Sequence, residues 1–258
     1  LIELKGISAK QGGFRLSVEG LLMRKGDFVA VLGNNGSGKS TFLSVLAGLK
    51  KFKGKYLLEG QSFQSISPLY RHRIISFLPQ QTSLNMPFDV HYVVLTGRYP
   101  YTNGRNYKDE DIRATERILK EFDIFHLRHR QFNELSGGEK QRALLARVIN
   151  RNSPIILLDE PLSGIDLKHQ HEILNFLKRL CKDRIILIVI HDISLAIREF
   201  DRFLFFVKGT LAHDLQKREL DEEKLTRVFG VKVNFIRHKK GVFVYIEGDK
   251  YGFRNKKT

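Results

Sequence analysis

The sequence predicts an α/β fold: a mainly parallel core sheet with helices on both faces, antiparallel strands at the N-terminal end, and an inserted helical subdomain at about 85–150. Three observations carry this reading. Buried, strand-length apolar runs at 155–160, 184–191 and 202–209 alternate with helical segments, and that alternation builds parallel sheets. The apolar run "DFVAVLG" at 27–33 passes straight into a glycine-rich loop and then a helical pattern. Between about 85 and 150 the strand-length runs give way to helical periodicity.

Each element follows from local pattern. "LIELKGIS" and "FRLSVEGLLM" alternate apolar with polar residues and read as short half-buried strands. After the glycine loop, Phe42, Leu43, Val45, Leu46 and Leu49 recur at helical spacing. "GKYLLEGQSF" returns to strand. "FDVHYVVLTGR", "DEDIRATERILKEFDI" and "EKQRALLARVIN" form the helical insertion. "KVNFIRHKKGVFVYIEG" reads as a hairpin around Lys239–Gly241, and a basic tail follows, so that residues 1–235 form one cassette and 236–258 an appendage.

Composition excludes several classes. The 258 residues can bury a large core. One cysteine, Cys181, permits no internal disulfide and no Cys/His metal cluster, which suits a reducing compartment. "IILIVI" and "FLFFV" are too short to cross a bilayer. "LIELKG" has neither a charged n-region nor an apolar h-region, so it is not a secretory signal, and the missing initiator Met points to a trimmed start. The net charge of +16 is compatible with nucleic acid or with an anionic membrane surface. The basic residues are dispersed, although 231–258 hold eight Lys/Arg against two acids.

The chemistry begins at "GNNGSGKST", residues 33–41. Gly33, Asn34, Asn35, Gly36, Ser37, Gly38, Lys39, Ser40 and Thr41 fit a phosphate-binding loop between strand and helix. Glycines let successive N–H groups face an anion, and the helix N-terminus adds partial positive charge. Lys39 then reaches β- and γ-phosphates and Ser40 ligates Mg²⁺. "IILLDEP" ends a strand with Asp159 and Glu160, expected on opposite sides of that strand. Asp159 is the candidate to hold Mg²⁺, and Glu160 the general base for an attacking water. His191, closing "IILIVIH", is either a helix cap or a donor to the γ-phosphate.

"LSGGEKQR" poses a second phosphate site. Ser136 and Glu139 make an ordinary capping box. That does not explain Gly137 and Gly138, which weaken a helix start unless something approaches the backbone closely.

Together these residues resemble the ATP-binding subunit of an ABC transporter, over roughly residues 1–235. Walker A is "GNNGSGKST", the Q-loop "FLPQ" with Gln80, the signature "LSGGEKQR", Walker B "IILLDEP", the D-loop "SGID" with Asp166, and the H-loop His191. The resemblance implies a head-to-tail homodimer with two ATP between the chains. Ser136, Gly137 and Gly138 of one chain then cap the nucleotide on the other's P-loop. It also implies that Gln80 links the γ-phosphate and Mg²⁺ to the helical block. That block would dock on an integral membrane permease at the cytoplasmic face of the cell membrane. "GRYP" after the Q-loop and "EEKLTRVFGVKV" are similar to importer cassettes for iron–siderophore, haem or cobalamin, which implies a substrate-binding protein as an indirect partner and no nucleic acid.

Two departures stand out. Gln11 occupies the place of the family's adenine-stacking aromatic, with Phe14 three residues on; Phe14 is either an aromatic near the base or, the reading favoured here, a core or strand residue. Gly164 replaces a commoner alanine in the D-loop. Two rival readings are a non-transport ABC ATPase acting on ribosomes or nucleic acid, suggested by the charge, and another P-loop enzyme such as a small-molecule kinase.

Overall fold

The computed structural model describes residues 1–80, 87–102, 104–238 and 241–246. Strands β1 (Ile2–Gln11) and β2 (Phe14–Met23) form an antiparallel pair. β2 spans the stretch the sequence marks, whereas β1 runs to Gln11, past the end of "LIELKGIS", with an irregularity between Lys5 and Ser8 in its pairing with β4 (Lys53–Leu58). Strand β3 (Phe28–Leu32) is buried along its length and leads through the glycine loop to helix α1 (Lys39–Leu46). The two-residue strand β5 (Gln61–Ser62) follows, and then α2 (Pro68–Ile74). Ser67 accepts from Tyr70 N–H and Pro68 stands in the first turn, the ordinary start signals for a helix. β6 (Ile75–Leu78) begins without a break after α2. Neither α2 nor β6 stands out in the sequence, since no turn residue separates them.

The helical segments are α3 (Val90–Leu95), α4 (Asp109–Glu121) and α5 (Gly137–Asn150). Thereafter come β7 (Ile155–Asp159), α6 (Leu167–Leu180), β8 (Ile185–Val189), α7 (Ile193–Glu199), β9 (Arg202–Val207), β10 (Thr210–Gln216) and α8 (Glu222–Phe229). A separate hairpin pairs β11 (Val233–His238) with β12 (Gly241–Ile246). Lys239, where the sequence places its turn, and the basic tail lie outside the described residues.

The main sheet runs β5-β4-β1-β2-β10-β9-β3-β8-β7-β6. From β9 to β6 every neighbouring pair is parallel; β1, β2, β4 and β5 pair antiparallel with one another. The two faces are sorted by strand alternation. Phe28, Ala30 and Leu32 of β3 join Ile156, Leu158, Ile186 and Ile188 under α3–α7. Val29 and Val31 face the other way with Leu157, Leu187, Phe42 of α1 and the antiparallel strands.

Polar contacts tie the helical segments together at "GRYP". Arg98 Nε donates to Asp111 Oδ1 at 2.8 Å, with both side chains largely buried. Asn150, 2 % exposed, donates to Val94 O at 3.0 Å and Thr115 Oγ1 at 2.8 Å, so one amide joins α3, α4 and α5. Removing it strips the buried Thr115 hydroxyl of its donor and Val94 O of one of its two. Asn150→Ala should lower stability by about 1–3 kcal/mol, read from the midpoint of urea unfolding; an unchanged midpoint would deny this amide its bridging part.

Candidate functional site

The loop after β3 is shaped by glycine. Gly38 caps α1 with φ 107°, a left-handed conformation that disfavours any side chain, and the Phe14 ring lies 3.0 Å from where a Cβ would stand. Lys39, 5 % exposed, folds over the loop: its Nζ donates to Gly33 O at 2.8 Å and Asn34 O at 3.0 Å. Burial lowers its pKa, opposed by Glu160 and Asp159.

Strand order brings the second half of the site to the same edge. β7 lies two strands from β3, with β8 between them. All three run parallel, so their C-terminal ends meet. Asp159, 1 % exposed, ends β7 and is hydrogen-bonded by the Ser40 side chain. Its Oδ1 is buried with no partner. Burial raises its pKa most, and the neighbouring Glu160 raises it further against Ser40, Lys39 and His191. A buried, half-satisfied carboxylate beside a hydroxyl and a second carboxylate fits a hard divalent cation such as Mg²⁺.

Glu160 corrects the sequence expectation. It lies beyond the strand, with φ 51°, so simple alternation does not aim it. Non-glycine residues rarely adopt this conformation. Two groups flank its carboxylate: Gln80 Nε2 donates to Oε1 at 2.6 Å, and His191 Nε2 lies 2.5 Å from the same oxygen. His191 is therefore not the cap of α7; Asp192 is, accepting from Leu195 N–H. A cavity of about 420 Å³ is lined by Asn35, Gly36, Lys39, Ser40, Gln80, Glu160 and His191. A neighbouring one of about 210 Å³ is lined by Gln11, Phe14, Gly36, Gly38, Lys39, Ser40 and Thr41. Ser37 is 4 % exposed and its hydroxyl has no partner.

Ser136, Gly137 and Gly138 line neither cavity. Ser136 caps α5: its backbone N–H donates to Glu139 Oε2 at 2.8 Å, and its hydroxyl accepts from Glu139 N–H at 3.4 Å. The two glycines differ. A Cβ on Gly138 would come 2.9 Å from Gly164 O, whereas Gly137 has nothing within 4 Å. Asp166 is the N-cap of α6.

The structure decides one residue the sequence left open and adds one element it missed. Phe14 is half-buried and lines the phosphate-loop cavity, so it is more than a core residue. α8 reaches the loop from the far end of the chain: Asn34 Nδ2 donates to Phe229 O at 3.3 Å. Asp221 as N-cap and Gly230 at φ 71° as C-cap were the available signals for α8.

A glycine loop, a buried lysine, a metal-suited carboxylate and a poised glutamate at one sheet edge define a P-loop nucleotide-hydrolysing cassette. Residues 19–163 match the family model described as ABC transporter. The chain belongs to the ABC transporter family; it is the family's ATP-binding cassette, and an ATPase. It is 38% identical over 221 residues to the hemin import ATP-binding protein HmuV of Pseudomonas fluorescens (strain Pf0-1), covering 83% of this chain and 86% of that one. It is 32% identical to the petrobactin import ATP-binding protein YclP of Bacillus subtilis (strain 168), covering 86% and 89%. Among solved structures, an inward-facing metal-chelate type ABC transporter matches with TM-score 0.80 and 27% identity, covering 95% of this chain and 96% of that one. The dimeric, post-hydrolysis cassette MJ0796 bound to ADP and Pi matches with TM-score 0.74 and 27% identity, covering 85% and 100%.

Phe14 is an aromatic ring lining the phosphate-loop cavity, within reach of a bound nucleotide's base or ribose only if the nucleotide extends along that side. Phe14→Ala should weaken ATP binding about five- to tenfold in a titration with a fluorescent analogue; undiminished affinity would leave Phe14 as packing only.

Proposed function

We propose that this chain is the energy-supplying subunit of an importer for an iron chelate, haem or cobalamin. It acts as a homodimer on the cytoplasmic face of the cell membrane, bound to integral membrane permease subunits. The carrying observation is the split between the two anion sites. Lys39, Ser40, Gln80, Asp159, Glu160 and His191 converge at one sheet edge, while the capped start of α5 lies outside both cavities there. A second copy, placed head to tail, would bring Ser136–Gly138 and Asp166 to the nucleotide on the first.

In this arrangement residues 33–41 wrap the phosphates with backbone N–H groups, and Lys39 leaves its loop carbonyls for the β- and γ-phosphates. Ser40, Asp159 and Gln80 would hold Mg²⁺, which screens phosphate charge when bound. Glu160, oriented by Gln80 and His191, accepts a proton from water as it attacks the γ-phosphate. His191 keeps the carboxylate aimed and stands within reach of the phosphate. Opening and closing of the dimer then carries the work, because ATP favours the closed form.

A groove of about 790 Å³ beside α2, α3 and α5 supports the permease reading. Leu69, Tyr92, Tyr99 and Tyr107 supply an apolar and aromatic lining, with His72, Arg147 and Arg151 as its basic side. Leu69 and Tyr99 are well exposed. A cytoplasmic helix of the permease would fill it. The similarity to hemin and petrobactin import proteins supports a chelate cargo, delivered by a separate substrate-binding protein.

Glu160→Gln should slow hydrolysis by about 10²–10⁴-fold while sparing ATP binding. Trapped with MgATP in its own cells, that variant should retain a polytopic permease from the membrane fraction. Recovery of ribosomes or nucleic acid without a permease would replace import with the non-transport reading suggested by the +16 charge.

A further inference from the structure

The start of α5 and the D-loop are tied to each other by close backbone approach and side-chain hydrogen bonds. The Gly138 backbone lies so close to Gly164 O that a Cβ would meet it at 2.9 Å. Gln141 Nε2, one turn along α5, donates to Pro161 O at 3.1 Å. Gln170 Nε2 of α6 holds the same loop from the other side, donating to Leu162 O at 3.3 Å and Ile165 O at 2.7 Å.

His169 supplies the polar pin of this assembly. Its ring Nδ1 is 2.6 Å from Asp166 Oδ2, and its Nε2 is 3.3 Å from Asp123 Oδ2. Its backbone N–H donates to Asp166 Oδ1 at 3.1 Å, so both carboxylate oxygens of Asp166 are engaged by one residue. Asp123 follows α4 in the left-handed region, φ 49°. Its backbone carbonyl accepts from Arg142 NH1 of α5 at 3.3 Å, and its carboxylate lies 3.9 Å from the same guanidinium. Arg142 is buried and also donates to Phe122 O. The path thus runs from Asp166 through His169 and Asp123 to Arg142.

We propose that His169 is a positioning residue that locks the D-loop to the signature helix through its contacts with Asp166 and Asp123. Resting on the head-to-tail reading above, the face offered to the partner's ATP and the segment leading from this chain's own Glu160 then shift as one body. The chemistry follows from the acceptors. Hydrogen bonds from His169 hold both carboxyls below the usual range, so both stay ionised near neutral pH. Each ring nitrogen faces a different carboxylate, so the one imidazole spans the gap between the D-loop and the segment that holds Arg142. Arg142 and His126 are the other charged or titratable groups acting on Asp123. Lesions in such a lock should impair turnover more than nucleotide affinity, since neither His169 nor Asp123 lines the nucleotide cavities.

The test is steady-state ATP hydrolysis by the full chain, comparing wild type, His169→Gln, Asp123→Asn and the double variant. Each single variant should lose about five- to tenfold in kcat, with KM for ATP held within about twofold. The double variant should be no worse than either single. An unchanged kcat, a loss carried by KM, or losses that multiply in the double variant would overturn the lock. Asp123 is a largely exposed side chain, so Asp123→Asn tests the idea even if His169→Gln folds poorly. Wild-type activity that survives Glu160→Gln would instead refute the catalytic reading on which the lock rests.

Discussion

Asp159 is nearly sealed from solvent at the end of β7, where burial disfavours its charge and one oxygen lacks any partner. That unfavourable placement is the constraint around which the site is arranged. It is tolerable because Ser40 and Lys39 stand opposite, and they stand there because β3, β8 and β7 are adjacent and parallel. The parallel order in turn requires crossovers, and the helices of those crossovers fill both faces of the sheet. A buried carboxylate beside a phosphate loop thus links the apolar pattern of three strands to the demand for a divalent cation.

The same logic extends outward from Glu160. Its left-handed backbone takes it off the strand, and Gln80 and His191 then fix its carboxylate. These come from the loop after β6 and from the residue just beyond β8, so the strands flanking β7 supply its two orienting groups. Residues 161–166 continue from Glu160 into contacts with α5 and α6. The segment leading from Glu160 is thus held to the start of α5 and to α6 by side-chain amides that grip its backbone carbonyls.

Much of this was legible in the sequence because the signals are local. A strand ending in glycine-rich residues, an apolar run closed by Asp159 and Glu160, and a capping box at Ser136 each announce themselves within a dozen residues. Phe14 was not legible as a cavity residue, because its alternation matches a strand and only the approach of Gly38 and Gly209 places it at the loop. α8 was missed as a support for the P-loop because Asn34 and Phe229 are 195 residues apart. The orientation of Glu160 depends on one backbone dihedral angle, and His169 on contacts from two other elements. The reason for Gly138 emerged only with the position of Gly164, while a Cβ on Gly137 would meet nothing within 4 Å.

The central claim is that an active site needs the P-loop of one chain and the signature of another. It is tested most directly by differently tagged chains, one carrying Lys39→Ala and the other Ser136→Arg, purified as the mixed dimer on the membrane complex. Head-to-tail pairing places both lesions in one site and leaves the other whole, so the mixed dimer should occlude one MgATP and hydrolyse it, whereas each homodimer is inactive. If each chain instead served its own nucleotide, both sites would carry a lesion, and a mixed dimer as inactive as the homodimers would contradict the account.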